Sequence, residues 1–168
     1  MDSQDFSKAR SVPEIKSARQ EYENERAAAE INDHFNRRLK YEKMVGEIST
    51  AALAAENSNA FQERCLGIIG NALDLSRTYV FEHRHQTDTM DNTFEWVAPG
   101  ISSQKKHLQN LSAKDVPWWT EMMRANRIID CEDVEALAHE AEKSILKSQD
   151  IRSVLAVPLY VERTYYGF

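Results

Sequence analysis

The chain opens with a long polar stretch and closes in short apolar runs. From Glu14 to about Asn57 it holds no Gly or Pro except Gly46, and Ala, Glu, Arg, Lys, Gln and Leu dominate. Those side chains lose little freedom in a helix, so one long helix is predicted, starting near Pro13 where Ser11 and Glu14 have capping-box spacing. At about 1.5 Å per residue it would reach roughly 65 Å, beyond the width of one small domain, so part of it is expected to project. The projecting part, Ile15 to Leu39, carries a sparse apolar stripe: Ile15, Tyr22 and Ala29 are seven apart, and Ile31, Phe35 and Leu39 four apart. A stripe this narrow belongs either to a solvated helix or to a parallel coiled coil, and the coiled coil is preferred. Val45, Ile48, Ala52 and Leu53 are denser and expected on the globular core, with Gly46 marking a slight bend.

After Ser58-Asn59, Phe61, Cys65, Ile68, Ile69, Ala72 and Leu73 follow helical spacing to a stop near Asp74-Leu75-Ser76. Two β-branched and aromatic runs, Thr78–Glu82 and Thr93–Val97, predict a hairpin with Gln86 to Asn92 as its polar turn. Pro99-Gly100 closes the second strand, and Ile101 to Ala113 reads as a polar loop, long enough to suggest a functional cover. Asp115 and Pro117 are expected to start a short helix bearing Trp118, Trp119, Met122 and Met123. Arg127–Cys131 is a short strand, and Val134, Leu137, Ala138, Ala141 and Ile145 mark an amphipathic helix. Ser153–Val161 reads as one nearly continuous apolar strand, and Thr164–Phe168 as another after a Glu162-Arg163 turn.

Length bounds this arrangement, since 168 residues make one core plus an appendage rather than two full domains. With 42% hydrophobic and 29% charged residues the chain should fold, except for the polar segment before Val12, where little order is expected. A net charge of −6 disfavours a phosphate-backbone binder, so nucleic acid is not an expected partner. No apolar run approaches a membrane span and the start lacks the regions of a signal peptide, so a soluble, cytoplasmic location is expected. Cys65 and Cys131 form no CxxC and no disulfide framework; reduced thiols are the default.

The order helix, helix, strand, strand, helix, strand, helix, strand, strand resembles a GAF domain, the small-molecule-sensing module of bacterial and archaeal signalling proteins. Leu73–Glu82 resembles that family's first strand and its approach, and Phe94–Ile101 its second. Gln149–Val161 followed by Tyr165-Tyr166-Gly167-Phe168 matches the family's "GI-x-S-hydrophobic-x-VP-hydrophobic … W-G-hydrophobic" pattern, with Asp150 in the usual Gly position. The similarity runs from about Leu39 to Phe168. It implies an α+β sandwich, an antiparallel sheet flanked by helices behind a long N-terminal helix. It also implies a final strand and closing helix that are truncated at Phe168. The expected organisation is a disordered N-terminus over 1–12, a signalling helix over 13–42 and a sensor domain over 43–168.

Catalytic chemistry is not signalled. No nucleophile stands with a base and an orienting group, and the glycines are too scattered to cradle phosphate. Cys65 lies on an apolar helical stripe and reads as inert packing. Cys131 sits beside Asp130, Glu132 and Asp133, whose charges disfavour a thiolate. His83 and His85 alternate toward one face, a spacing that serves a metal or haem, yet no third ligand follows and solvated loop histidines are the simpler reading. Lys105-Lys106-His107 reads as a solvated turn, and Arg124 or Arg152 as surface charges able to neutralise an acidic ligand. The strongest lead is aromatic: Tyr79, Phe81, Trp96, Trp118, Trp119 and Met122 are the candidate ligand-binding residues, because the family's cavity lies under the corresponding helix. Residues of this size also simply fill cores.

The sequence thus points to a non-enzymatic regulatory domain that senses an unspecified small molecule, dimerises through its N-terminal helix and transmits binding along it. The alternatives are a structural dimerisation module without ligand, or a haem or redox sensor using His83, His85 or Cys131.

Overall fold

A computed structural model of the chain describes the backbone from residue 12 and the side chains from residue 19. The expected disorder before Val12, the Ser11–Glu14 capping box and the Ile15 end of the apolar stripe lie outside the described residues. The chain divides into two units with the boundary between Gly46 and Glu47.

In the first unit, α1 (Val12–Ala54, which continues into the second) is solvent-facing. Arg19–Glu23, Arg26–Glu30, Asp33–Arg37 and Arg38–Glu42 pair at i,i+4 along it, each supplying a few tenths of a kcal/mol to an exposed helix. Tyr22, Ile31, Phe35, Leu39, Tyr41 and Val45 are exposed between the pairs.

The second unit carries the sheet. Helix α2 (Ser58–Leu73) starts where the Asn57 side chain accepts from the Ala60 N–H and ends at Asp74, whose left-handed φ of 56° takes the place of a C-terminal glycine. Strands β1 (Arg77–Arg84) and β2 (Thr89–Val97) form the hairpin. Its turn is shorter than the polar run Gln86–Asn92 suggests, because Thr89, Met90, Asp91 and Asn92 all pair with β1 and are buried. The predicted long loop contains β3 (Leu111–Ser112) on the edge of β2, and Leu108 and Ala113 are buried beneath it.

Helix α3 (Pro117–Arg124) takes Pro117 in its first turn, but Val116 and not Asp115 precedes it, with no side-chain cap. Strand β4 (Ile129–Cys131) follows. The amphipathic helix expected from Val134 is a 3₁₀ turn (Val134–Ala136) and then α4 (Glu140–Ser148), separated by Leu137-Ala138-His139. The long apolar strand is also divided: Val157-Pro158 separates β5 (Val154–Ala156), which pairs with β4, from β6 (Leu159–Val161), which pairs with β7 (Thr164–Gly167). Proline has no N–H for a ladder, which explains the break. Glu162 and Arg163, at φ 49° and 67°, make the two-residue turn between β6 and β7.

The main sheet runs β3-β2-β1-β7-β6, antiparallel, with β4-β5 as a second small sheet. Residues opposite one another in a ladder share a face. Phe81 lies opposite Asn92 and Val80 opposite Phe94, so Thr93 is an extra residue in β2. The extra residue reverses the parity of β2. Before it, Met90 and Asn92 share a face with Phe81 and His83. After it, Phe94 and Trp96 share the other face with Val80 and Thr78. That second face meets α2, where Thr78 Oγ1 donates to the Leu66 carbonyl. The indole of Trp96 covers Gly67 and Gly70, and a Cβ on Gly70 would lie 2.2 Å from two of its ring carbons. The first face carries the core: Phe81, Met90, Leu108, Val116, Trp119, Met123, Ile129, Val134, Leu146, Ala156 and Tyr165.

Candidate functional site

On the core face, aromatic rings form two groups, one around Phe81 and one around His83. Phe81 and Phe168 stack with centroids 4.7 Å apart and planes 12° from parallel. Tyr79 lies 5.7 Å from Phe81, Trp119 5.5 Å from Phe168, and Tyr165 5.4 Å from the His83 imidazole. Hydrogen bonds anchor the Phe168 backbone here, its N–H donating to the Phe81 carbonyl and its carbonyl accepting from the Phe81 N–H.

Polar groups without partners interrupt this apolar surface. Asn92 is fully buried, and neither its amide nitrogen nor its amide oxygen is hydrogen-bonded within the protein. The Trp119 indole N–H, the Tyr165 hydroxyl and His83 Nδ1 are buried in the same unpartnered state. Interiors normally satisfy such groups, so their presence on one face sets it apart from an ordinary apolar core.

His83 is a buried strand residue, its side chain only 3% exposed, and not the solvated loop histidine anticipated. Its Nε2 lies 2.9 Å from Asp88 Oδ1, and Asp88 also accepts from Arg124. Arg124 Nη2 lies 3.1 Å from the same Nε2 and can only donate to it, so whether Asp88 or Arg124 engages Nε2 decides which ring nitrogen carries the proton. The hydrogen bonds from His83 and Arg124 hold the Asp88 carboxyl below its ordinary range. Burial pushes the Tyr165 hydroxyl up to about 12, so it stays a neutral donor at physiological pH. His85 is exposed, with its ring 4.6 Å from that of His83. Among the described residues no group of His, Cys, Asp and Glu is arranged to hold a metal ion.

Helix α3 is held at both ends. The buried Glu142 carboxylate of α4 accepts from the Trp119 N–H at 3.2 Å, one of the first-turn donors that a helix leaves open. The Tyr160 hydroxyl of β6 sits 2.8 Å from the Arg124 carbonyl and 3.2 Å from that of Met123.

Of the sequence candidates, Tyr79, Phe81 and Trp119 are therefore brought together. Trp118 and Met122 pack at the margin of the same core. Trp118 stacks on His139 at 4.2 Å and lines a separate surface groove of about 440 Å³ with Cys131 and the acidic Asp130, Glu132 and Asp133. Trp96 is on the opposite face against α2, apart from the others. Asn92, His83 and Tyr165 were not among the candidates; the signal for Asn92 is its position opposite Phe81, visible only once the bulge is known. Burial raises the Cys65 thiol, consistent with inert packing. Arg124 is bound to Asp88 rather than free at the surface.

No protein-family profile matches the chain, and no curated protein does. Solved structures do. The phycoerythrobilin-bound GAF domain of a cyanobacterial phytochrome is similar at a TM-score of 0.63 and 11% identity, over 77% of this chain and 79% of that one. The GAF domain of a phosphoenolpyruvate-protein phosphotransferase (ptsP) from Coxiella burnetii matches at 0.62 and 14% identity, over 77% and 74%. The PixJ GAF domain of Thermosynechococcus elongatus, in its blue-light-absorbing form, matches at 0.53 and 20% identity, over 62% of each chain. At such identities the likeness speaks to architecture, and the architecture of this protein is that of a GAF domain.

Proposed function

We propose that this chain is a non-enzymatic regulatory domain of a signal-transduction protein that senses a small molecule. The ligand lies between the sheet face of Tyr79 and Phe81 and helix α3. The observation that carries the reading is the set of unpartnered buried polar groups on that face, Asn92 above all. A buried polar group left without a partner costs about 1–3 kcal/mol, so an apolar side chain would serve a purely structural core better. The bilin-bound phytochrome domain supports a ligand in this architecture. Trp118 and Met122 belong to the proposed site as its outer wall; Trp96, on the far face, does not.

Ligand binding would be transmitted through α1, paired in parallel with a second copy along the exposed Ile31, Phe35 and Leu39. Sedimentation of the intact chain against one beginning at Leu39 tests this. The intact chain should dimerise and the shortened one should not; an intact chain that stays monomeric at high micromolar concentration would remove the pairing.

A second reading, a structural dimerisation module, draws on the tightness of the same face, where Met123 is fully buried and Trp119 is 7% exposed. Thermal shift with nucleotides, haem, bilins and amino acids, joined to native mass spectrometry, separates the two. A ligand that raises the melting temperature of the wild type but not of Asn92→Leu upholds the sensor; no shift and no bound mass across the panel upholds the structural module.

A further inference from the structure

We infer that the ligand of this face is an uncharged, planar heteroaromatic molecule bearing an N–H beside a carbonyl, recognised through its edge by Asn92 and through its plane by Phe81. The inference rests on the sensing role proposed above and adds the chemical class.

Three features lead to it. The first is the hydrogen-bonding inventory. Asn92 offers an amide N–H donor and a carbonyl acceptor side by side, both free and fully buried. That pair is complementary to a lactam or imide edge, whose N–H and C=O are spaced to bond both at once. Trp119 Nε1–H and the Tyr165 hydroxyl add donors for further ring carbonyls, and His83 Nδ1 adds a polar contact whose direction follows its tautomer.

The second feature is charge. The cations near this face are committed. Arg124 is bound to Asp88, and Arg77 spends its guanidinium on the carbonyls of Gln149 and Ser102, at 2.7 and 3.2 Å. The carboxylate buried against α3 is Glu142, 2% exposed. A phosphate or a pair of propionates would thus meet a buried negative charge, with Arg124 and Arg77 already bonded elsewhere, a desolvation cost those two do not offset. An uncharged ligand avoids that cost.

Stacking is the third. Phe168 lies nearly parallel on Phe81, so a flat ring taking its place keeps an aromatic stack of the same kind. The face is therefore suited to a thin aromatic ligand and poorly suited to a bulky aliphatic one.

The test uses lumichrome, an uncharged alloxazine with an imide edge, against flavin mononucleotide, which has a related ring system and imide edge and carries a charged phosphate tail. Tryptophan-fluorescence titration and thermal shift are measured on the 168-residue chain and on Asn92→Leu and Trp119→Phe. Lumichrome should bind and raise the melting temperature, flavin mononucleotide should bind at least tenfold more weakly, and Asn92→Leu should lose tenfold or more in lumichrome affinity while melting no lower than the wild type. Equal or tighter binding of flavin mononucleotide, or lumichrome binding indifferent to Asn92, would overturn the class while leaving a ligand-binding domain. If neither probe binds but cyclic GMP or biliverdin does, the class fails in the same way. If none of them binds, both the class and the sensing role fall.

Discussion

Substituting Gly70 by alanine sets two effects of opposite sign against each other. In a helix interior the change ordinarily stabilises by up to about 1 kcal/mol, because glycine gives up more backbone freedom on folding. Here the new Cβ would lie 2.2 Å from two ring carbons of Trp96 and 2.9 Å from a third. Carbon contacts are most favourable near 3.5–4.0 Å, so the ring or the helix must move by more than about 1 Å. Trp96 is fixed in the β1–β2 ladder opposite Thr78, and overpacking of this kind costs about 1–3 kcal/mol or more. The steric term wins, and Gly70→Ala should destabilise by about 2 kcal/mol, a fall in melting temperature of roughly 5–10 °C for a unit of this size. Gly67 is the internal control: its added Cβ would come no nearer than 3.3 Å to the indole, and Gly67→Ala should change stability by less than about 1 kcal/mol in either direction. Near-UV circular dichroism, which follows the tryptophans, and urea unfolding give the comparison. Trp96→Leu in the Gly70→Ala background should recover part of the loss relative to Trp96→Leu alone. A Gly70→Ala protein that melts at or above the wild type would refute the packing argument.

Gly167→Ala should be more damaging, since φ is +155° and the added Cβ would lie 1.8 Å from the Phe81 carbonyl oxygen; a soluble, normally melting variant would contradict the β1–β7 pairing. Spectrophotometric titration should show Tyr165 and Tyr166 ionising late, near 12, where burial raises both and the Glu82 hydrogen bond adds to the rise for Tyr166. Their raised folded values mean the associated stability is complete below about pH 10 and lost as pH climbs through 12, so the melting temperature should fall over that window; flat melting there would oppose the assignment. Asp88 works in the other direction. Its lowered carboxyl contributes above its ordinary range and loses that contribution as pH falls through the folded value, so the difference in melting temperature between wild type and Asp88→Asn should shrink on acidification below pH 4.

Much of the fold was legible because its signals are local. The stop of α2 near Asp74, the Glu162-Arg163 turn and the β-branched and aromatic run Thr78–Glu82 all follow from neighbouring residues. The failures came where tertiary placement overrode local character. Asp91 and Asn92 look like turn residues and are buried in a strand. Val134 to Ile145 has one amphipathic pattern but folds as a 3₁₀ turn and a separate helix. Trp96 groups with Tyr79 by aromatic character alone, and the bulge at Thr93 that sends it to the other face leaves no mark in composition. For the site, aromatic bulk was visible and its polar counterpart was not, since nothing in the order of residues says that an asparagine will be buried without a partner.

The two attachments of α3 determine where a push on it goes. Eight residues are too few to hold a helix unaided, so α3 behaves as a beam pinned at its supports, Glu142 of α4 at one end and Tyr160 of β6 at the other. A load applied through Trp119 and Met123, whose backbone groups the pins hold, cannot be absorbed by bending the beam alone and is delivered to both supports. One reaction force acts on α4; the other acts on β6 and, through β7, on β1 at the middle of the main sheet. Breaking one pin, as Tyr160→Phe would do, leaves that end of the beam held through Arg124 and Asp88 and shifts the load toward α4 and the β1–β2 turn.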